Sequence, residues 1–202
     1  MVFSSCKVSF ANAAVTGTNF EGILAIGNNA VTVKVAAPVT GATRGLTLSG
    51  GGGGTGDISV TGAGGFVGQN GAGADIANNG SGNVTVAITG ATSATGGSGI
   101  VVADTLVGGD IAVTTGAVTS TTSHGISILA HTLTGDVAVV TNGIVKAADV
   151  GVVAALLEAG ATGNVEVSAN AADARFGIDA ENFGSGSVKV STTGPVTATT
   201  GT

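Results

Sequence analysis

The densest group of charged residues in the 202-residue sequence consists of Asp173, Arg175, Asp179 and Glu181. Two carboxylates near a basic side chain can serve as the acid and the base in cleavage of a glycosidic bond. The same residues also fit a solvated surface patch whose charges partly pair. Since the sequence has no Trp or Tyr to form a sugar-binding platform, we favour the patch, as a possible interaction surface, over an active site.

The other candidates for metal or nucleotide chemistry are better explained as corners of the chain. His124 and His131 lie seven residues apart at opposite ends of one predicted strand, with no local cluster of Cys or carboxylates to complete a metal site. Gly-Asp and Gly-Asn pairs recur about every 26 residues, whereas a calcium β-roll needs its glycine-aspartate motif about every nine. No phosphate-binding G-x-x-x-x-G-K-[ST] motif occurs. We therefore expect no metal, no cofactor and no catalytic residue.

A repeat along almost the whole chain must position these residues. Its marker is a Gly-Asp or Gly-Asn pair before a short apolar alternation, as in Gly109–Val113 (GDIAV). The steps between the leading glycines are 26, 27, 26, 28 and 23 residues, counted from Gly56 through Gly82, Gly109, Gly135 and Gly163 to Gly186. A fixed period of this length predicts stacked structural repeats.

Each unit contains three short alternations of apolar and polar residues, which predict three strands. The first strand opens at Lys7, Val31, Ile58, Val84, Ile111, Val137, Val165 and Val188. The second is marked by Val15, Val39, Val67, Thr92, Val118, Val145, Ala172 and Val196. The third begins with Gly22-Ile23, Gly45-Leu46, Asp75-Ile76, Gly99-Ile100, Gly125-Ile126, Gly151-Val152 and Gly177-Ile178.

Because the units are too short for a helical crossover, glycine corners must join their strands into one turn of a solenoid. We predict an all-β fold, a right-handed parallel β-helix of about eight coils of ~26 residues, with three short strands per coil. We expect residues 1–202 to form a single β-solenoid domain with a loop insertion at 49–55 (SGGGGGT). The apolar segment 152–158 (VVAALLE) is a strand and a short loop rather than a helix.

The predicted register brings two pairs of opposite charges together. Glu166 and Lys189 occupy equivalent outward positions on neighbouring coils, about 4.8 Å apart along the solenoid axis. Lys146 and Asp173 each follow the marker of the second strand, so they should also be neighbours. Both pairs are on the surface and contribute at most about 1 kcal/mol each, but they test the alignment of the coils.

The pattern G-D-[IV]-x-V-x-[TS]-x-G-x-V-[TS]-[AST], followed by G-I-x-[AIV], resembles the repeats of bacterial autotransporter passengers and other large exported adhesins. The resemblance extends from about Lys7 to Thr202. It implies a structural or adhesive rod that is secreted and displayed on, or released from, the bacterial cell surface. The sequence departs from such proteins in having no export signal and no C-terminal translocator domain, so we expect a segment of a longer passenger.

Composition limits the partners. Six scattered Lys and Arg residues and a net charge of −6 argue against nucleic acid, and the longest apolar run, about eight residues, is too short for a membrane span. We expect self-association through exposed solenoid ends, or contacts with a host surface or a polysaccharide. One alternative is a β-helical carbohydrate-active enzyme with an acidic face near 173–181. A minor alternative is an ice-binding threonine ladder, which is interrupted at Gly68/Asn70, Lys146/Ala148 and Asp173/Arg175.

Overall fold

The computed structural model describes residues 5–10, 14–50, 52, 54–104 and 108–199. These residues form 21 β-strands and no helix, and the strands pair in parallel as a β-solenoid of about seven turns, close to the predicted eight. Residues 1–4, residues 51 and 53 of the predicted loop insertion, and residues 200–202 lie outside the described part. No helix long and apolar enough to cross a bilayer occurs within the described part.

The strands lie on three faces. The first face contains β1 (Ser5–Phe10), β4 (Ala30–Val35), β7 (Ile58–Gly62), β10 (Val84–Ile88), β13 (Ile111–Thr115), the first halves of β16 (Val137–Ala147) and β18 (Val165–Ala174), and β20 (Val188–Thr192). The second contains β2 (Val15–Gly17), β5 (Val39–Gly41), β8 (Phe66–Gly68), β11 (Thr92–Ala94), β14 (Val118–Ser120), the second halves of β16 and β18, and β21 (Val196–Ala198). The third contains β3 (Ile23–Ile26), β6 (Leu46–Gly50), β9 (Ala74–Asn78), β12 (Ile100–Asp104), β15 (Ile126–Ala130), β17 (Val150–Leu156) and β19 (Phe176–Asn182).

We number the coils from the N-terminus, one strand per face, so that the eighth coil has strands on the first and second faces. In coils six and seven the first two faces are joined, because β16 and β18 continue through the corner between them. The register between β16 and β18 shifts between Thr141 and Ile144. This bulge lets coil six accommodate one residue more than coil seven at that corner.

The core consists of ladders of equivalent inward side chains. On the first face, one ladder is at most 1% exposed and contains Val31, Ile58, Val84, Ile111, Val137 and Val165. Alternation with period two directs these side chains inward and leaves Thr, Ser and Ala on the outer surface. Burial of each Val or Ile contributes roughly 1.5–3 kcal/mol, so the stability of the solenoid is distributed along its length.

Glycine is required where the chain enters the third face. A Cβ atom added at Gly125 would overlap Cγ1 of Val145 and the carbonyl oxygen of Gly151 in the next coil. The corner between the second and third faces is therefore packed backbone to backbone. This close approach explains why Gly precedes the third strand in coil after coil.

The register confirms both predicted charge neighbours. Lys189 lies beside Glu166 in the strand pairing of β18 with β20, and Asp173 lies beside Lys146 in the pairing of β16 with β18. The segment 152–158 is also a strand and a loop as predicted, since β17 ends at Leu156.

The predicted register is wrong in coils one and three. In coil one, Cys6 rather than Lys7 lies beside Val31. In coil three, Phe66 rather than Val67 faces inward on the second face, where it lies beside Val39 and is fully buried.

The third face of coil three is displaced as well. Ala74 aligns with Leu46, so Ile76 lies one inward position further along than predicted. On the second face the difference is a single residue, which exchanges the inward and outward side chains of the strand. The observed register buries the large Phe66 ring and leaves Val67 on the outer side. Glycine-rich stretches lie on both sides of β8, so the sequence has no single glycine there that marks where the strand begins.

Candidate functional site

The four charged residues predicted to form an interaction patch are all exposed but lie on different surfaces. Asp173 is on the second face, between Lys146 and Thr197 of the adjacent strands. Arg175 is at the corner after β18, and Asp179 and Glu181 project outward from β19 on the third face. The structure therefore divides the predicted patch between two faces and the corner that joins them.

A depression of about 450 Å³ lies at this corner and includes one of the four predicted residues. Its walls are Asp149 and Val150 of coil six together with Phe176, Ile178 and Asp179 of coil seven. The Phe176 ring is 53% exposed. The depression thus combines two carboxylates with an aromatic and aliphatic wall.

The Arg175 side chain packs on Phe176, in the wall of this depression. Its guanidinium carbon is 5.1 Å from the centroid of the Phe176 ring, a distance typical of a cation–π contact. Within the described residues, Arg175 forms no ion pair with Asp179. One face of the Phe176 ring is therefore covered by the Arg175 guanidinium.

Both histidines lie at partly exposed corners, as predicted, and each meets a carboxylate of coil six. Nδ1 of His124 is 3.4 Å from Oδ2 of Asp149, and Nδ1 of His131 is 2.9 Å from Oε1 of Glu158. These carboxylates are 25 and 27 residues away in sequence, so a local search could not find them. Among the described residues, no three His, Cys, Asp or Glu side chains are grouped to hold a metal ion.

The Gly-Asp and Gly-Asn pairs form a hydrogen-bonded ladder along the corner before the first face. The backbone N–H of Asp110 donates to Oδ1 of Asn83 at 2.8 Å, and that of Asp136 donates to Oδ1 of Asp110 at 3.0 Å. The backbone N–H of Asn164 continues the series by donating to Oδ1 of Asp136 at 2.7 Å. Each side chain thereby satisfies a backbone donor of the next coil, which supports the interpretation of these residues as turn chemistry.

A second depression, of about 320 Å³, lies on the first face beside this ladder. Its side-chain lining includes Asp136, Asn164, Glu166, Ser187 and Lys189. Nζ of Lys189 is 2.6 Å from Oε1 of Glu166, and the two side chains are 69% and 52% exposed. Solvent screens such a pair strongly, so this depression is a weakly organised polar surface.

The outward threonine ladder of the second face is discontinuous. From coil one to coil eight its first outward positions are Thr16, Thr40, Val67, Ser93, Thr119, Lys146, Asp173 and Thr197. The corrected register of coil three places Val67, rather than Gly68, at the first interruption.

Sequence reasoning missed Asp149 and Phe176. The order Asp149-Val150-Gly151 identifies the residues just before the third strand of coil six, and Arg175-Phe176-Gly177 identifies the same corner of coil seven. An alignment of corner residues between coils, rather than of strand residues alone, could have found both.

Comparison with protein-family models, curated proteins and solved structures finds no match for this chain. The geometry of the solenoid and of its corners is therefore the basis for the proposals below.

Proposed function

We propose that this chain is a rigid scaffold segment of an adhesin-like passenger on the bacterial cell surface. The observation that carries the proposal is the continuous ladder of buried side chains from Val31 to Val165. A solenoid whose coils contact only their neighbours has no central hinge and holds its outward groups at a constant rise. Such a rod separates a binding surface from its point of attachment.

We further propose that copies of the chain associate end to end. Val188, Val190 and Val196 of coil eight are 44%, 47% and 43% exposed. The residues beside them in coil seven, Val165, Val167 and Ala172, are at most 1% exposed. A second copy stacked on coil eight would complete the same apolar ladders, as the next coil of a longer passenger would.

The distribution of charge favours head-to-tail association. Residues 1–50 carry Lys7, Lys34 and Arg44 against a single acid, Glu21, for a formal charge of +2. Residues 165–199 carry four acids and two bases, for a formal charge of −2; these are Glu166, Asp173, Asp179 and Glu181 with Arg175 and Lys189. Opposite charges at the two ends favour contact between unlike ends over contact between like ends.

Val190→Asp tests the end-to-end contact, and Val140→Asp is its matched control. Both are first-face valines, but Val190 points inward on coil eight, whereas Val140 points outward from β16 and is 37% exposed. Light scattering after size exclusion, over rising concentration, should show larger species for the unmodified chain and for Val140→Asp only. Equal association of all three proteins, or monomers throughout, would contradict the end-to-end contact.

Surface display is tested separately with an antibody to this chain. Labelling of intact source cells without permeabilisation is the expected result. Labelling that requires permeabilisation would contradict the cell-surface assignment, whatever the chain's association state.

A second candidate is a carbohydrate-active enzyme on the third face. Asp179 and Glu181 project from the same side of β19, which separates their Cα atoms by roughly 7 Å. Glycoside hydrolases hold their two carboxyl groups roughly 5–9.5 Å apart, which two side chains on Cα atoms at this spacing can reach. Turnover of an acidic polysaccharide that is lost in both Asp179→Ala and Glu181→Ala would replace the scaffold proposal with this one.

A further inference from the structure

Three Asn-Gly dipeptides occur in the chain: Asn70-Gly71, Asn79-Gly80 and Asn142-Gly143. An asparagine before a glycine can close a succinimide ring with the glycine nitrogen, because glycine has no Cβ to shield that nitrogen and its backbone rotates freely. The same local chemistry is therefore present in three structural settings. These settings differ in how firmly the asparagine side chain and its backbone are held.

Two of the three asparagine side chains are held by coil two. Nδ2 of Asn70 donates to the carbonyl oxygen of Ala42 at 2.8 Å, and Nδ2 of Asn79 donates to Oγ of Ser49 at 3.2 Å. The backbone N–H groups of both asparagines also donate to carbonyl oxygens of coil two. The side-chain bond must break before Cγ can turn toward the nitrogen of the next residue, so ring closure at these two positions is hindered.

The third pair lies in the bulge of coil six, where strand pairing is interrupted on both sides. Pairing of β16 with coil five stops at Thr141 and resumes at Val145. Pairing with coil seven also stops at Thr141, and it resumes at Ile144. Asn142 and Gly143 are thus the two residues of β16 with no paired residue in either adjacent coil. A residue left out of the ladder in this way has more backbone freedom than its paired neighbours.

The Asn142 side chain is exposed and forms no hydrogen bond within the described residues. Its backbone carbonyl oxygen accepts a hydrogen bond from Nδ2 of Asn170 at 2.9 Å. Glycine is required at the next position, because a Cβ atom added at Gly143 would overlap the backbone nitrogen of Ala117 in coil five. The close stacking of this corner therefore fixes a glycine directly after an exposed asparagine whose side chain is unbound.

We propose that Asn142 is a site of spontaneous modification, at which the side-chain amide becomes a carboxylate through a succinimide. A base from solvent removes the proton of the Gly143 N–H, and this nitrogen forms a bond to Cγ of Asn142. The bond from Cγ to Nδ2 breaks, and Nδ2 takes a proton from solvent and leaves as ammonia. Water then opens the ring at one of its two carbonyl carbons. Cleavage between the ring nitrogen and Cγ gives aspartate, and cleavage between the ring nitrogen and the main-chain carbonyl carbon gives isoaspartate.

The products change the contact between coils six and seven. Both add a negative charge at the corner, and isoaspartate also lengthens the backbone by one carbon. Asn170 bonds to this segment twice, through its backbone N–H to Oγ1 of Thr141 at 3.1 Å and through Nδ2 to the carbonyl of Asn142. We therefore expect faster hydrogen exchange at the Asn170 amide in the isoaspartate fraction than in the unmodified chain.

The test is incubation of the purified, folded chain in mildly alkaline buffer, followed by peptide mapping with electron-transfer fragmentation, which separates aspartate from isoaspartate. Conversion at Asn142 should be faster than at Asn70 or Asn79 by about twofold to tenfold, the rate effect of one hydrogen bond that need not break. The same chain in urea is the matched control. There all three asparagines precede glycine in an unfolded backbone, so they should convert at similar rates.

Two further controls use the same corner. Asn142→Gln should stop conversion there and leave the rates at Asn70 and Asn79 unchanged, because glutamine must close a larger ring. Asn170 occupies this corner in coil seven and is exposed as well, but Ala171 follows it, so it should stay unmodified. The reaction needs only water and base, and its outcome is independent of end-to-end association and of surface display. Conversion at Asn142 no faster than at Asn70 or Asn79 in the folded chain, or conversion at Asn142 in urea only, would overturn the proposal.

Discussion

The hydrogen-bonded corner ladder allows a test that separates turn chemistry from charge. Oδ1 of Asp136 accepts two hydrogen bonds from Asn164, from its backbone N–H at 2.7 Å and from its side-chain Nδ2 at 3.1 Å. Asp136→Ala removes both, and it leaves the Asn164 backbone donor to solvent. Asp136→Asn keeps an Oδ1 acceptor and removes only the negative charge.

The expected cost follows from these two bonds. Loss of a side-chain acceptor for a backbone N–H costs about 0.5–2 kcal/mol, and the exposed second bond adds little because water replaces it. We expect Asp136→Ala to lower the free energy of unfolding by about 1–2 kcal/mol, or the thermal midpoint by roughly 2–8 °C for a chain of this size. Asp136→Asn should cost less than about 0.5 kcal/mol, since Asn83 and Asn164 already serve as acceptors in the same ladder.

Thermal and urea unfolding followed by far-ultraviolet circular dichroism measures both variants. Hydrogen exchange at the Asn164 amide adds a local measurement, and Asp136→Ala should raise its exchange rate while Asp136→Asn should not. Both variants relieve repulsion between Asp136 and the neighbouring Asp110, so this effect cancels in the comparison. Equal destabilisation by Asn and Ala would refute the hydrogen-bond argument and indicate a need for the carboxylate charge.

Further predictions concern the core and the surface pair. Phe66→Ala should lower the free energy of unfolding by about 3–5 kcal/mol, because it empties a fully buried ring position. Val67→Ala, on the outer side of the same strand, should cost less than about 1 kcal/mol, and the reverse order in urea unfolding would reject the register of coil three. Glu166→Gln should change stability by at most about 1 kcal/mol, because its pair with Lys189 is more than half exposed. A larger effect that persists in high salt would show that this pair is not screened by solvent.

Much of the fold follows from local pattern. In coils three to seven a Gly-Asp or Gly-Asn corner marks the start of the first strand, Gly186-Ser187 does so in coil eight, and alternation marks the inward side. Both signals are local, and ladder formation between equivalent residues requires only that each coil repeats them. For this reason the neighbours Glu166 and Lys189 could be predicted from sequence, although 23 residues separate them.

Coil three shows where local pattern is insufficient. Phe66 and Val67 are adjacent apolar residues, and either one could be the inward member of a three-residue strand. Only the space between the stacked coils decides, because a ring that fills the interior is buried in full whereas its neighbour is left at the surface.

The corner depression depends on tertiary structure for a different reason. Asp149 and Asp179 are 30 residues apart and belong to successive coils, one at the corner and one on the third face, so neither one identifies the other in the sequence. The sequence by itself determines the repeat, its three faces and the residues that turn the corners. Side-chain length and the stacking of one corner on the next decide which carboxylates meet a guanidinium, as Glu21 and Asp75 do at Arg44, and which meet an imidazole, as Asp149 does at His124.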